Sequence, residues 1–392
     1  MQENERLNYL DSIRGIAALA VMLHHLWFFN HGLEGPYKAL PSFLIPLSDA
    51  FYYILGLFFT VGRAAVMVFF VLSGFVLAYS LLKQPVAYGQ FAIRRVFRIY
   101  PAFLAAVLIS YALYSLTGIR NPYVSGLLKE MVEVHPSLKM LLEHLLLFGT
   151  KGSTVLDDVI WSLVHEMRIS LIFPFILLCI IRYKWHTVAA CWLISIACTF
   201  TIFFTTGLPE QEGVVESSIL RSFLNTGYFV IFFAGGTYLA VEREKVATKI
   251  ASLPKWQHIT LFAFSMFCLL KTNPYASPFT PSFFDYMRGI GALGLIALAL
   301  GSNRFATALN HKILTWLGRI SYSLYLVHVP IIYVVSQEIG TAWPMLATSV
   351  FIIAVSLIMA ELMARFIEFP SIRLGKRLCA KIAVRTTADY AR

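Results

Sequence analysis

Apolar runs of about 20 residues recur along almost the whole chain, and they constrain its fold more than any other feature. A bilayer core about 30 Å thick is crossed by about 20 mostly apolar residues in a helix. Ten such runs are present, at residues 8–29, 63–82, 98–117, 158–181, 187–206, 220–241, 257–271, 285–301, 314–335 and 343–367. The composition agrees, because 58% of the residues are hydrophobic and only 14% are charged. The sequence therefore predicts an all-α polytopic membrane bundle of about ten transmembrane helices.

Residues 1–370 are predicted to form one transmembrane domain, and residues 371–392 a short basic tail along anionic headgroups. Two shorter apolar segments, 48–62 and 137–150, allow an eleventh span or an interfacial helix. The external segments 30–62 and 118–157 are expected to shape a substrate site, since loops on a rigid scaffold tend to carry specificity.

Basic residues are distributed unequally between the predicted loops. With the N-terminus inside, the internal segments hold twenty lysines and arginines and the external segments hold seven. The positive-inside rule then places both termini in the cytoplasm, which agrees with an even number of spans. These loops account for the net charge of +11, so nucleic-acid binding is not expected. The five cysteines show no CxxC spacing, and we expect buried thiols and no metal site.

The first run, LNYLDSIRGIAALAVMLHHLWFF, carries polar groups that bare lipid would not tolerate. Arg14 and His25 are eleven residues apart, so they share one helix face at a separation of roughly 16 Å. Asp11, three residues before Arg14, can pair with it. The alternatives are that Arg14 extends to the inner headgroups and that His25 makes an interhelical hydrogen bond. No small-residue cleavage site follows, so we expect this run to remain as a helix.

A basic cluster, FAIRRVFRIYP, meets the third run near Tyr100. Arg95 and Arg98 are three residues apart on one helix face and could grip one phosphate together, with Arg94 nearby. Anchoring to lipid headgroups is the alternative for this cluster.

Further polar groups lie inside apolar runs. In WSLVHEMRIS, Glu166 and Arg168 are two residues apart and do not face each other, so each needs a partner on another helix or a ligand. In FFVLSGF, Ser73 and the following glycine allow close helix approach. In MAELMARFIEFP, Glu361 and Arg365 are four apart, which predicts a local ion pair.

Six motifs occur in the order found in the acyltransferase-3 family of membrane acyltransferases, which the chain resembles over residues 9 to about 370. They are LDSIRGIAALAVMLHH, FFVLSGF, RRVFRIYP, WSLVHE, LGRISYSLYLVHVP and RFIEFP. The resemblance implies a ten-helix enzyme that moves an acyl group, commonly acetyl, from cytoplasmic acyl-coenzyme A to an acceptor. The implied acceptor is a hydroxyl of an envelope carbohydrate or of its lipid-linked precursor, at the bacterial inner membrane.

The resemblance also implies site residues. The family's motif of Arg or Lys, ten residues and His falls on Arg14 and His25, which selects His25 from two adjacent histidines. Its Arg-x-x-Arg motif falls on Arg95 and Arg98, and the glutamate of its WSLxxE motif falls on Glu166.

These matches lead to expected roles. His25 would be the catalytic base or an acyl carrier, with Asp11 orienting Arg14 and with Glu166 orienting His25 or binding the acceptor. The residues expected to contact the acyl-coenzyme A donor are Arg14, Ser73, Arg94, Arg95, Arg98 and Tyr100.

Two departures from relatives are visible. Many members carry an aromatic pair soon after the motif glutamate, where this chain reads Arg168-Ile169-Ser170. Some also carry a soluble SGNH hydrolase-like domain after the last helices. None is expected here, so a second transfer step would need a separate partner.

A secondary transporter or flippase is the alternative function. It would use Asp11, Arg14, His25 and Glu166 as a proton or substrate relay. Inverted repeats and paired broken helices would favour this alternative, and the sequence shows neither.

Overall fold

The computed structural model describes residues 7–32, 41–57, 61–117, 137–146, 156–157, 159–206, 218–271, 280–339 and 342–390. Within these ranges the chain is helical and has no β-strand, which confirms the predicted all-α fold. Much of the external segment 118–157 lies outside the described residues, as does part of the segment 30–62.

The helices are, in chain order, α1 (Asn8–Gly32), α2 (Ile45–Leu57), α3 (Val61–Lys83), α4 (Tyr88–Thr117), α5 (Leu138–Leu145), α6 (Ile160–Tyr183), α7 (Trp185–Thr206), α8 (Ile219–Val241), α9 (Arg243–Ala251), α10 (Lys255–Leu270), α11 (Thr280–Gly301), α12 (Asn303–Leu309), α13 (Lys312–Ile339), α14 (Met345–Met363) and α15 (Phe369–Tyr390). A 3₁₀ turn at Ser42–Leu44 precedes α2, and a π-helical segment at Ala364–Glu368 joins α14 to α15.

Eight helical segments in the described part of the chain are long and apolar enough to cross a membrane. They comprise α3, α4, α6, α7, α8, α11, α13 and the continuous helix Met345–Ile382. The other two predicted spans are also helical, α1 with 25 residues and α10 with 16. All ten apolar runs therefore fall on helices, and the protein is a polytopic membrane bundle. The orientation of the termini stays a prediction.

Glycines bring helix backbones into contact at several crossings, and two of these crossings involve the helices that form the site. α1 crosses α13 where Gly15 faces Gly318, and an added Cβ on either glycine would overlap the backbone of the other helix. α3 crosses α8 at Gly74 and Gly236 with the same consequence. Small residues permit such close approach between membrane helices, so the FFVLSGF motif acts in helix packing as predicted.

The helix continues past residue 370, and the domain boundary predicted there stays a prediction. α14 passes through the π-helical segment directly into α15, which packs along the start of α4. Ser371 Oγ donates to the Phe97 carbonyl at 2.8 Å, and Cys379 Sγ donates to the Gln90 carbonyl at 3.4 Å. The first part of the basic tail is therefore a helix fixed on the bundle.

Gly236 and its neighbour Gly235 offer a matched test of the crossing between α3 and α8. An added Cβ at Gly236 overlaps the α3 backbone, whereas one at Gly235 meets only the side chain of Leu293, at 3.4 Å. We expect Gly236→Ala to destabilise the protein by about 1–3 kcal/mol through overpacking, and Gly235→Ala to leave its thermal midpoint nearly unchanged. Thermal unfolding of the purified protein in detergent measures both. Equal midpoints for the two variants would contradict the close crossing.

Candidate active site

The partner that Glu166 requires lies on another helix, as the sequence predicted. Arg95 of α4 donates to Glu166 Oε1 at 2.5 Å, and Ser73 of α3 donates to the same oxygen at 3.0 Å. Arg95 is only 8% exposed. A charge taken out of water is stable only when it is paired and hydrogen-bonded, so this contact holds α3, α4 and α6 together.

A second carboxylate, Glu368, lies beside the other arginine of the Arg-x-x-Arg motif. Arg98 Nη1 is 3.6 Å from Glu368 Oε1, and Ser323 Oγ donates to Glu368 Oε2 at 2.7 Å. Glu368 is 1% exposed and is the last residue of the π-helical segment. π-Helical turns are rare and frequently occur at functional sites. Here the turn places a buried carboxylate between α4 and α13.

Arg14 is the third arginine of the site, after Arg95 and Arg98. Its Nη2 atom lies 3.3 Å from Asp11 Oδ1, which confirms the predicted pair within α1. Arg14 also lines the same cavity as Arg95 and Arg98. Three guanidinium groups from two helices therefore line a single cavity, and each has a carboxylate beside it.

The cavity runs between α3, α4, α6 and α13, and its volume is about 750 Å³ when the open solvent at its mouth is counted. Apart from the charged residues, its wall is mainly apolar and aromatic, formed by Val66, Phe69, Phe70, Val76, Leu77, Ile99, Leu163, Tyr322 and Tyr325, with Ser162 and Ser321. Along α3 the lining extends from Leu77 to Val66, which is roughly 16 Å of helix. Such a space suits a long, narrow ligand with an anionic end.

His25 lies toward the C-terminal end of α1, where α1 packs against α13. Its Nδ1 atom is 3.0 Å from the Val21 carbonyl oxygen and 3.2 Å from His328 Nε2. The His328 ring is buried, and its centroid is 6.0 Å from that of Tyr325, which lines the cavity. His25 itself does not line the cavity, so the two are connected through Tyr325 and His328.

Five of the predicted site residues line the cavity together, namely Arg14, Ser73, Arg95, Arg98 and Glu166. Arg94 does not, because it is one residue from Arg95 and therefore points about 100° away around α4. Tyr100 also lies outside the lining, and its hydroxyl donates to the Leu145 carbonyl of α5 at 2.9 Å. Of the residues of α1, only Arg14 contributes to the lining.

Helix α5, which accepts the hydrogen bond from Tyr100, is also hydrogen-bonded to the segment that precedes α6. His144 Nε2 accepts a hydrogen bond from the Leu156 amide at 3.2 Å, which requires an unprotonated nitrogen. Burial lowers the pKa of His144 to about 4. The imidazole is therefore neutral near pH 7 and keeps this contact.

A separate buried charge cluster, absent from the sequence predictions, lies near the N-terminal ends of α3 and α11. Asp285 is fully buried and accepts hydrogen bonds from Arg63 Nε and Nη2 at 2.7–3.0 Å. It also accepts from Arg288 at 2.8 Å and from the Tyr228 hydroxyl at 3.0 Å. The sequence feature that could have revealed this cluster is the position of Asp285 and Arg288 at the start of an apolar run, where charged residues are costly.

The remaining predicted partnerships also form. Arg168 Nη1 donates to the Ser222 carbonyl and hydroxyl and to the Thr226 hydroxyl of α8, at 2.8–3.1 Å. Glu361 pairs with Arg365 at 2.5 Å as expected. Arg168 therefore contacts α8 rather than Glu166.

Three residues of the site were not assigned a role from the sequence, namely His328, Tyr325 and Glu368. The first two lie in LGRISYSLYLVHVP and the third lies in RFIEFP. Their polar side chains within apolar motifs could have marked them as site residues. Helical periodicity alone, however, did not show which neighbouring helix they would face.

Comparison with known sequences adds an independent finding. The family model for acyltransferase-3 proteins, described as "Acyltransferase domain", matches residues 7–363. The chain belongs to the acyltransferase-3 family. In this acyltransferase-3 protein the matched region includes the three cavity arginines, Glu166 and both histidines of the His25–His328 pair.

Two curated relatives of this acyltransferase-3 protein are known. The chain is 25% identical over 384 residues to "Peptidoglycan O-acetyltransferase OatA" of Listeria monocytogenes, and 26% identical over 397 residues to YrhL of Bacillus subtilis. The alignments cover 92% and 94% of this chain but 55% of each relative. The chain therefore spans about half the length of the curated relatives it matches. No solved structure matches it.

The Asp285 cluster predicts a graded loss of stability. Asp285→Asn removes the charge that two buried arginines share, so we expect it to cost about 3–5 kcal/mol. Tyr228→Phe removes one hydrogen bond to the same carboxylate and should cost about 1 kcal/mol. Thermal unfolding in detergent compares the two, with Asp49→Asn on the exposed side of α2 as the control. A midpoint for Asp285→Asn equal to that of Asp49→Asn would show that the cluster is not needed for the fold.

Proposed function

We propose that this protein is a membrane O-acyltransferase that moves an acyl group, acetyl in the simplest case, from cytoplasmic acyl-coenzyme A to a carbohydrate hydroxyl. The observation that carries the proposal is a cavity lined by three arginines, with the His25–His328 pair beside its lining residue Tyr325. Membership of the acyltransferase-3 family supports the reaction class.

The chemistry of acyl-coenzyme A fits the side chains around this cavity. Its phosphates suit Arg14, Arg95 and Arg98, because guanidinium groups bind phosphate oxygens through paired charge-assisted hydrogen bonds. Its long and mostly uncharged pantetheine arm suits the apolar wall between Leu77 and Val66. Each arginine already has a carboxylate neighbour, so the donor phosphates would compete with Asp11, Glu166 and Glu368 for them.

In the proposed reaction His25 takes the proton from the acceptor hydroxyl, since a neutral imidazole can accept a proton near pH 7. The hydroxyl oxygen then bonds to the acyl carbon, the carbon–sulfur bond breaks, and the leaving thiolate takes the proton that His25 held. A route through a transient acyl-histidine is equally compatible with the arrangement. Glu166, held by Arg95 and Ser73, would act at the donor end rather than on His25.

The acceptor is proposed to be a cell-wall carbohydrate, at the plasma membrane of a bacterium. The Listeria relative is named as a peptidoglycan O-acetyltransferase, which supports this acceptor class. Mass spectrometry of wall glycans from cells with and without the protein tests it. A loss of acetyl groups from peptidoglycan supports the proposal. If peptidoglycan is unchanged and another glycan loses acetyl groups, that other glycan is the acceptor.

His25→Ala tests the reaction itself. Membranes that contain the full chain are supplied with labelled acyl-coenzyme A and wall carbohydrate. We expect transfer to fall by about 100-fold or more at equal protein amount, since loss of a general base typically costs this much. His186→Ala, at an exposed histidine of α7, should transfer at the wild-type rate. Wild-type transfer by His25→Ala would overturn the assignment, and carbohydrate movement without acyl transfer would favour a flippase.

Arg94, Arg95 and Arg98 give a matched test of the donor site. Arg95→Gln and Arg98→Gln should each raise the KM for acyl-coenzyme A by about ten- to a hundredfold, because a charge-assisted hydrogen bond contributes about 1.5–3 kcal/mol. Arg94→Gln, which removes the same charge outside the cavity, should leave that KM nearly unchanged. Initial rates at varied donor concentration measure all three. Equal effects for the three variants would show that the cluster acts only through general charge.

A further inference from the structure

Another cavity lies between α7, α8 and α11, away from the arginines. It is a groove with a volume of about 970 Å³ when the open space at its mouth is counted. α7 lines it from Trp185 to Trp192 and α11 from Tyr286 to Leu293, each with four residues at the spacing i, i+3, i+4 and i+7. The groove therefore follows one face of each helix for two turns, which is about 10 Å.

The two walls of the groove meet at one end. There the hydroxyls of Ser195 on α7 and Tyr286 on α11 are hydrogen-bonded at 2.9 Å. Between the walls, Gly235 of α8 and Gly289 of α11 have no side chain to fill the space. The groove consequently reaches into the bundle as far as Val71 of α3, which is buried.

The lining of the groove suits hydrocarbon. Among the described residues that form it none is charged, and its polar side-chain atoms belong to two tyrosines and two tryptophans. Trp192 and Ile290 at the rims are exposed, and α7 is long and apolar enough to span the bilayer, so lipid chains have access. The groove begins at the first residue of α7 and extends about 10 Å into a bilayer core about 30 Å thick. It therefore lies within one leaflet and suits one acyl chain of that leaflet.

Two lysines lie at the other end of the groove. Lys184 directly precedes Trp185, and its Nζ atom is 3.8 Å from Glu242, one helical turn beyond Tyr238 of the lining. Lys245 Nζ is 2.5 Å from the same carboxylate. Both lysines are more than half exposed, and each ammonium group has three hydrogens to donate. Two cations that share one carboxylate leave an excess of positive charge beside the groove.

We propose that the groove binds one anionic phospholipid, with an acyl chain between α7 and α11 and the headgroup phosphate at Lys184 and Lys245. Charge complementarity favours this occupant, because the phosphate supplies the second negative charge that the two lysines lack. Trp185 and Tyr238 lie between the chain and the headgroup, at the level where aromatic rings are enriched in membrane proteins. The basic residues also place this end on the side predicted to be cytoplasmic, where anionic lipids attract basic segments.

This lipid site is distinct from the candidate active site. In the part of the chain that the structure describes, the groove and the arginine cavity share no lining residue. Occupation of the groove is therefore independent of whether the protein transfers acyl groups, and the test needs neither donor nor acceptor.

The test uses the full chain in nanodiscs of phosphatidylcholine that contain a small fraction of a probe lipid with a photoreactive acyl chain. The probe is either phosphatidylglycerol, which is anionic, or phosphatidylcholine, which is zwitterionic. After illumination, mass spectrometry identifies the labelled residues. We expect phosphatidylglycerol to label the groove face of α11 about tenfold or more above phosphatidylcholine, since each basic residue near the membrane surface strengthens anionic-lipid binding about fivefold.

Matched variants separate the acyl chain from the headgroup. Ala189→Trp fills the groove and should remove most of the labelling of α11, whereas Ala190→Trp, at the next and exposed residue outside the lining, should leave it unchanged. Lys184→Gln and Lys245→Gln should each lower labelling by phosphatidylglycerol about fivefold. Lys312→Gln, at an exposed lysine at the start of α13, is their control and should have no effect.

Equal labelling of the groove by the two probes would overturn the proposal, as would unchanged labelling in Ala189→Trp. The lysine variants lie on the exposed surface and decide the headgroup contact even if Ala189→Trp is not stably folded, and unchanged labelling in both would also overturn it. Light scattering on the detergent-solubilised protein tests a second copy of the chain as the occupant. A dimer that Ala189→Trp dissociates, with no lipid labelling in the groove, would make the groove an interface between copies and refute the lipid site.

Discussion

The cost of burying charge inside a membrane bundle is the constraint on which the rest of this structure depends. An unpaired ion in a low-dielectric interior is destabilising by several kcal/mol, so each buried guanidinium needs an anionic neighbour. The three pairs beside the cavity are Arg14–Asp11, Arg95–Glu166 and Arg98–Glu368, in which Arg95 and Glu368 are buried charges. Two of them join residues from different helices, so α4, α6 and the π-helical segment must converge at this level. The cavity is the space left between the helices that converge there.

Glycine crossings determine how closely the helices approach around that space. The contact of Gly15 with Gly318 brings α1 and α13 together as parallel neighbours, and the same register places His25 against His328. A larger residue at either glycine would separate the helices and move the two imidazoles apart. One packing feature therefore sets both the α1–α13 spacing and the geometry of the candidate base.

Much of the site was predictable because its residues are costly at membrane depth. The pairing of Asp11 with Arg14 follows from spacing within one helix, and Glu166 could be expected to need a partner elsewhere. Which partner it takes did not follow, since Arg95 is distant in sequence and only the packing of α4 on α6 brings it within reach. For Tyr100, nearness in sequence was misleading. It lies close to Arg95 and Arg98 in the chain, which suggested a contact with the donor, but its position on the helix directs its side chain toward α5.

The sequence by itself determined that this chain is a helical membrane protein, because the length and the apolar character of each span depend only on residues that are consecutive in the chain. It also determined which polar residues would need special surroundings, and the motifs identified the acyltransferase-3 family. Only the tertiary structure decided that the cavity wall is built by α3, α4, α6 and α13, and that Glu368 and His328 belong to the site. The physical reason is that a helix sequence specifies which residues share a face, whereas the facing helix depends on the packing of the whole bundle.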